Sequence, residues 1–132
     1  FNLYKKCVDI GSIQFSLEDF KRFWKSRNIK IEKEKNCIAI LSLTDHEVEI
    51  YFIGVAESLR GRGLGKKFLK NIINFSKYYG ADFITLEVGI NNIPAKNMYS
   101  SFNFIECGIR KNYYRNSSGS REDAIIMKLN LN

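Results

Sequence analysis

The chain has 132 residues, 45% of them apolar and 14% aromatic, which fits one globular domain with a single core and excludes both a disordered chain and a two-domain protein. Its 21 basic and 14 acidic residues leave a net charge of +7, so an anionic partner is expected: a polyphosphate cofactor, nucleic acid or the ribosome. The pairs Lys5-Lys6 and Lys66-Lys67 are too short to make a dedicated nucleic-acid surface.

Cys7, Cys37 and Cys107 are widely spaced without a C-x-x-C pair, and His46 is the only histidine, set in the polar turn sequence Thr44 to Glu47. Neither a disulfide framework nor a metal site is expected, and a Ser-His or Cys-His catalytic arrangement would have to use His46. No apolar run approaches the roughly 18 residues of a membrane helix, and no signal-peptide pattern opens the chain, so a cytoplasmic protein is expected. Because the first residue is Phe1, a short preceding piece is expected as well.

Ser16-Leu17-Glu18-Asp19 has the form of a helix start, and Leu17, Phe20, Phe23 and Trp24 fall at helical spacing, which predicts a helix with that stripe in the core. Three strand-like runs follow, Ile29 to Glu34, Cys37 to Leu43 and Val48 to Val55, separated by short polar turns and expected to form an antiparallel meander. A helix is predicted over Lys66 to Tyr79, apolar at Phe68, Leu69, Ile72, Ile73 and Phe75, with Gly80 as its C-terminal cap. Phe83 to Val88 then reads as a strand parallel to Val48–Val55 through a right-handed crossover. Pro94 suits the first turn of a short helix through Ser101. The last strands lie near Phe104 to Arg110 and Ala124 to Leu131, on either side of a loop at Asn116 to Ser120.

The chemistry begins at Arg60-Gly61-Arg62-Gly63-Leu64-Gly65, between a strand and a helix. Such a turn presents unpaired backbone N–H groups and the positive end of the helix dipole, a natural seat for phosphate or pyrophosphate. A mononucleotide P-loop needs glycine at position 60 and Ser or Thr at 67, where this chain has Arg60 and Lys67. A dinucleotide fingerprint needs glycine at 66, which is Lys66. The bland alternative is a tight turn on a basic surface. What remains, Arg-x-x-Gly-x-Gly, resembles the pyrophosphate loop of the GNAT superfamily of acetyl-CoA-dependent N-acetyltransferases.

Further residues carry that resemblance. Leu86-Glu87-Val88, then Asn92, Ala95, Met98-Tyr99 and Asn103-Phe104, are similar to the GNAT order of strand, asparagine, alanine, Leu-Tyr and Gly-Phe. Ile109 to Tyr114 and Arg121 to Met127 resemble the ribosomal-protein-alanine N-acetyltransferases, the RimI type. The likeness runs from about Val48 to the end; before that, only the order of elements corresponds. Asn103 stands where glycine is usual, Met98 where leucine is, and Gly89 where a larger residue is commoner.

The resemblance implies one domain over residues 1–132 with the α/β GNAT fold: a mixed, mostly antiparallel central sheet with a parallel V-shaped split between strands 4 and 5, and helices on both faces. It implies acetyl-CoA as co-substrate and no metal. By the same token Glu87 would be the general base and Tyr99 the general acid toward the coenzyme A sulfur. Ile53, Gly54 and Val55 would bind the acetyl carbonyl by backbone N–H; Arg60, Gly61, Arg62, Gly63, Leu64, Gly65 and Lys66 would hold the pyrophosphate; and Asn92 would contact the cofactor. Tyr113 and Tyr114 would line the acceptor groove. The implied reaction is acetylation of a protein N-terminal amine, an alanine of a small-subunit ribosomal protein. Acetylation of lysine or a small amine, and a catalytically idle ribosome-binding module, are the rival readings. Cys107 as an acyl carrier lacks a base nearby in sequence.

Overall fold

The computed structural model describes residues 1–7, 15–115 and 120–132, with backbone only at 114 and 115. Helices α1 (Asn2–Cys7) and α2 (Leu17–Lys25) precede strands β1 (Ile29–Glu34), β2 (Cys37–Leu43) and β3 (Glu47–Val55). A short 3-10 turn, Glu57–Leu59, leads to α3 (Leu64–Tyr79), β4 (Phe83–Gly89), α4 (Ile93–Ser101), β5 (Ile105–Arg115) and β6 (Arg121–Asn130). The strands form one sheet in the order β1-β2-β3-β4-β6-β5. Every neighbouring pair is antiparallel except β3 and β4. The expected fold class holds; counted among the described residues, the parallel pair is the third and fourth strand.

β2 shows why the sheet is covered on both faces. Its residues 37 to 41 are all buried: Cys37, Ala39 and Leu41 pack with Phe68, Leu69 and Ile72 of α3. Ile38 and Ile40 pack with Tyr4 of α1 and Phe20 of α2. The larger core thus lies under α3 and α4, the smaller under α1 and α2. The expected β1 and β2 boundaries coincide with those observed, since the two-residue turn Lys35-Asn36, with Asn36 at φ 68°, fixes the hairpin.

Elsewhere the structure corrects the expected elements. α1 is an addition: Tyr4 is buried, meets Phe52 edge-on and accepts a 2.8 Å hydrogen bond from the Phe15 N–H at its hydroxyl. In α2 the Ser16–Asp19 capping box forms as expected, but Trp24 is 74% and Leu17 47% exposed. At about 100° per residue these two lie some 80° around the helix from the Phe20–Phe23 edge that packs. α3 begins at Leu64, two residues early, because Gly63 supplies the left-handed φ of 77° that caps it. β5 continues past Arg110 to Arg115, through irregular pairing on both sides of Gly108 and Arg110. Of the expected final loop, residues 116–119 lie outside the described residues, as does the Tyr114 side chain. Asn103 adopts φ 73° in place of the usual glycine, and the turn closes by a 3.1 Å bond from the Phe104 N–H to the Tyr99 carbonyl.

Candidate active site

A bulge opens the site. Ile40 and Leu41 of β2 pair with Phe52 and Ile50 of β3, so Tyr51 is an extra residue. It reverses the alternation: Val48 and Ile50 face the larger core before it, Ile53 and Val55 after it. Parallel pairing with β4 ends at the same place, Ile50 opposite Leu86. Beyond that point β3 has no β4 partner, and the two strands part around a cleft of about 1140 Å³. Ile53, Gly54 and Val55 line it from one side, Glu87 to Gly89 from the other, and Tyr99 and Asn92 from α4.

The glycine loop closes one end. Gly61 and Gly63 take φ of 80° and 77°, and a Cβ on either would meet nothing within 4 Å, so conformation, not crowding, requires glycine there. The first backbone N–H groups of α3, from Leu64, Gly65 and Lys66, have no intrahelical acceptor, and all three residues line the cleft. Free N–H groups at a helix N-terminus suit an anion such as pyrophosphate.

The two arginines of the expected cradle have surroundings beyond it. Arg60 lines the cleft and is also anchored to the backbone: its Nε donates to the Val55 carbonyl at 3.1 Å and its Nη2 to the Cys7 carbonyl at 2.7 Å. It thereby ties β3, the loop and the end of α1 together. Arg62 lines an adjoining hollow with Lys35 and Lys67. Gly54 has a packing reason of its own, since a Cβ there would lie 2.8 Å from Phe52 and 3.0 Å from Cys7 Cβ. Burial pushes the Cys7 thiol up to about 11, which makes it no nucleophile.

Glu87 projects from the face of β4 opposite α3, where Arg110 of β5 meets it at 3.1 Å. The Arg110 guanidinium also lies over the Tyr113 ring, 4.6 Å from its centre. Burial, then the Glu87 charge, push the Tyr113 phenol above its ordinary value. Tyr99 is 7% exposed, its ring tilted against that of Phe104; burial alone drives its hydroxyl far above the ordinary phenol range, so it stays protonated at any working pH. The side-chain oxygen of Asn92 caps α4 by accepting from the Ala95 N–H at 3.3 Å. Glu122 also lines the cleft, steadied by a 3.0 Å bond from the Asn91 amide.

Sequence reasoning missed Glu49 and Arg110. Glu49 alternates with Val48 and Ile50, so its exposure to the opposite face was readable, but its nearness to Glu87 depends on the β3–β4 register. Desolvation, then Glu47 and Glu87, raise its carboxyl, against which Arg110 acts. Among the described residues no group of His, Cys, Asp and Glu is placed to hold a metal, and no helix is long and apolar enough to cross a membrane.

Residues 8–104 match the family described as the acetyltransferase (GNAT) family. Over 110 residues the chain is 36% identical to the [ribosomal protein bS18]-alanine N-acetyltransferase of Haemophilus ducreyi, an alignment spanning 81% of this chain and 75% of that one. The crystal structure of the ribosomal-protein-S18-alanine N-acetyltransferase from Escherichia coli superposes with a TM-score of 0.85 at 27% identity, covering 98% of this chain and 84% of the other. A GNAT family acetyltransferase from Elizabethkingia anophelis with acetyl-CoA bound shares the fold, with a TM-score of 0.72 at 21% identity over 87% and 83% of the two chains. With the match extending over most of its length, the chain belongs to the acetyltransferase (GNAT) family and is an acetyl-CoA-dependent N-acetyltransferase.

Proposed function

We propose that the enzyme acetylates, in the cytoplasm, the N-terminal α-amine of a protein, an alanine of a small-subunit ribosomal protein, a reading supported by the Haemophilus relative's name. The observation that carries this reading is that Glu87 and Tyr99, from different elements, line the same cleft as the glycine loop and the parted end of β3. The N–H groups of Leu64 to Lys66 hold the pyrophosphate, with Gly61 and Gly63 shaping the turn and Asn92 beside the pantetheine. Glu87 takes one proton from the acceptor's ammonium. The freed lone pair attacks the acetyl carbon while backbone N–H groups of Ile53 to Val55 stabilise the oxyanion. As the carbon–sulfur bond breaks, Tyr99 donates to the departing thiolate.

Acidity favours an α-amine. Its pKa of about 7.7–8.0, against about 10.4 for lysine, makes deprotonation near pH 7 roughly 3.5 kcal/mol cheaper. Tyr113 lines the acceptor end, and Tyr114 follows it in β5. Of the two acids in Arg121-Glu122-Asp123, each accepts one hydrogen bond, and Glu122 is the one that lines the cleft, where it would meet a cationic second residue. A peptide beginning alanine-arginine is therefore expected to gain one acetyl group at its N-terminus, far faster than the same peptide with a blocked N-terminus and free lysines. Mass spectrometry of both products decides; modification chiefly on lysine moves the enzyme to the side-chain class.

A further inference from the structure

The chemistry above leaves one carboxylate of the cleft unused. Glu49 lies on β3 opposite Thr85, one residue before the parallel pairing ends, and Glu87 is the next residue on the same face of β4. Both line the cleft, one from each of the strands that part around it. Their neighbours are already engaged. Glu47 accepts from the Thr85 hydroxyl, and Glu87 is paired with Arg110. Glu49 makes no hydrogen bond and no ion pair among the described residues.

An unpaired, half-buried carboxylate is unfavourable for the free protein. Glu47 and Glu87 repel it, Arg110 attracts it, and the nearby Tyr113 phenol is neutral. The acceptor, on the other hand, enters as an ammonium, with three N–H donors and one positive charge. Glu87 and Arg110 cancel one another, so a cation approaching Glu87 alone would meet no net negative charge. Glu49 supplies it, on the neighbouring strand and two residues short of Glu87 in register.

We propose that Glu49 is an acceptor-binding residue that, together with Glu87 across the cleft, holds the acceptor's primary ammonium before the proton leaves. The ligand class is a primary ammonium at a chain end or side chain; that it is an α-ammonium rests on the reading above. In the free enzyme the charge is uncompensated, and in the acceptor complex it is paired.

Steady-state kinetics of Glu49→Gln and Glu49→Asp test this, with whichever peptide the wild type modifies, α-amine or lysine. Loss of a charge-assisted bond should raise the acceptor KM about 10- to 100-fold in Glu49→Gln. The KM for acetyl-CoA should stay within about two-fold, and Glu49→Asp should recover most of the loss, since a charge-reading contact depends on the carboxylate more than on its reach. The melting temperature of Glu49→Gln at pH 7 should equal or exceed that of the wild type, since removing an unpaired charge relieves the fold. An unchanged acceptor KM in Glu49→Gln overturns the proposal, as does a parallel rise in the acetyl-CoA KM. Lysine acetylation by the wild type, or full activity of Glu87→Gln, would sink the preceding reading while leaving the Glu49 comparison intact. Calorimetry of both peptides on the CoA-loaded wild type covers an inactive preparation, because failure to bind either one overturns both.

Discussion

At the scale of single residues, Tyr99 is the most constrained group. A leaving thiol has a pKa near that of cysteine, about 8.5, and an ordinary phenol about 10, so complete proton transfer from even an unshifted tyrosine is uphill by about 2 kcal/mol. Burial pushes Tyr99 further up. In the proposed mechanism its contribution is therefore a hydrogen bond that strengthens as charge develops on sulfur, and removing such a donor typically costs about 10²- to 10³-fold in kcat. Tyr99→Phe should lose that much with little change in acetyl-CoA affinity. The sign for pH follows from the raised value: the wild-type kcat should show no alkaline fall from Tyr99 below about pH 10. An alkaline limb near pH 9 that disappears in Tyr99→Phe would contradict this assignment. Glu87→Gln should cost about 10²- to 10⁴-fold, the usual range for a general base, and raising the pH should return part of the rate, since more acceptor is then neutral.

At the scale of elements, the loop owes its orientation to contacts that the local sequence does not contain. Arg60 bridges the carbonyls of Val55 and Cys7, residues 5 and 53 positions away. The motif implied a role for Arg60 toward phosphate and could not show this bridge as well, because nothing in six residues reveals that α1 packs behind the loop. α1 itself is six residues long, too short for any periodicity to show. By contrast β1 and β2 were legible to the residue, as their ends are set by Lys35-Asn36 and not by distant packing. Arg60→Ala should destabilise the protein by about 1–3 kcal/mol, the scale of hydrogen bonds from a charged donor. It should also weaken acetyl-CoA binding, by releasing β3 and α1 from the loop. Arg60→Lys, which lacks the fork that reaches both carbonyls, should rescue little. Equal melting temperatures with and without Arg60, and an unchanged acetyl-CoA affinity, would show that the bridge is incidental.

At the scale of the whole molecule, charge is unevenly used. Of the proposed site, Glu87, Tyr99 and the glycines could be named from sequence because each sits in a short local pattern. Glu49 and Arg110 were not, because they meet Glu87 only through the sheet order β3-β4-β6-β5, a set of long-range pairings that sequence spacing does not encode. The face they share is acidic at β3 and β4, within a protein whose net charge is +7. The excess of cations stands elsewhere, in part at Lys35, Arg62 and Lys67 around the hollow next to the loop. A polyphosphate ligand and a cationic acceptor are thus drawn to different parts of one molecule, and salt should act on both. At about 100 times its dissociation constant, acetyl-CoA should stabilise the fold by roughly 2.7 kcal/mol, a rise in melting temperature on the order of 10 °C. At fixed ligand concentration that rise should shrink between 0.1 and 1 M salt, as the Debye length falls from about 10 to 3 Å. A neutral truncated thioester, lacking the phosphates, should give a smaller shift that salt hardly changes. Equal salt dependence for both ligands would mean that the basic surface does not attract the cofactor, and that the loop's backbone N–H groups bind it unaided.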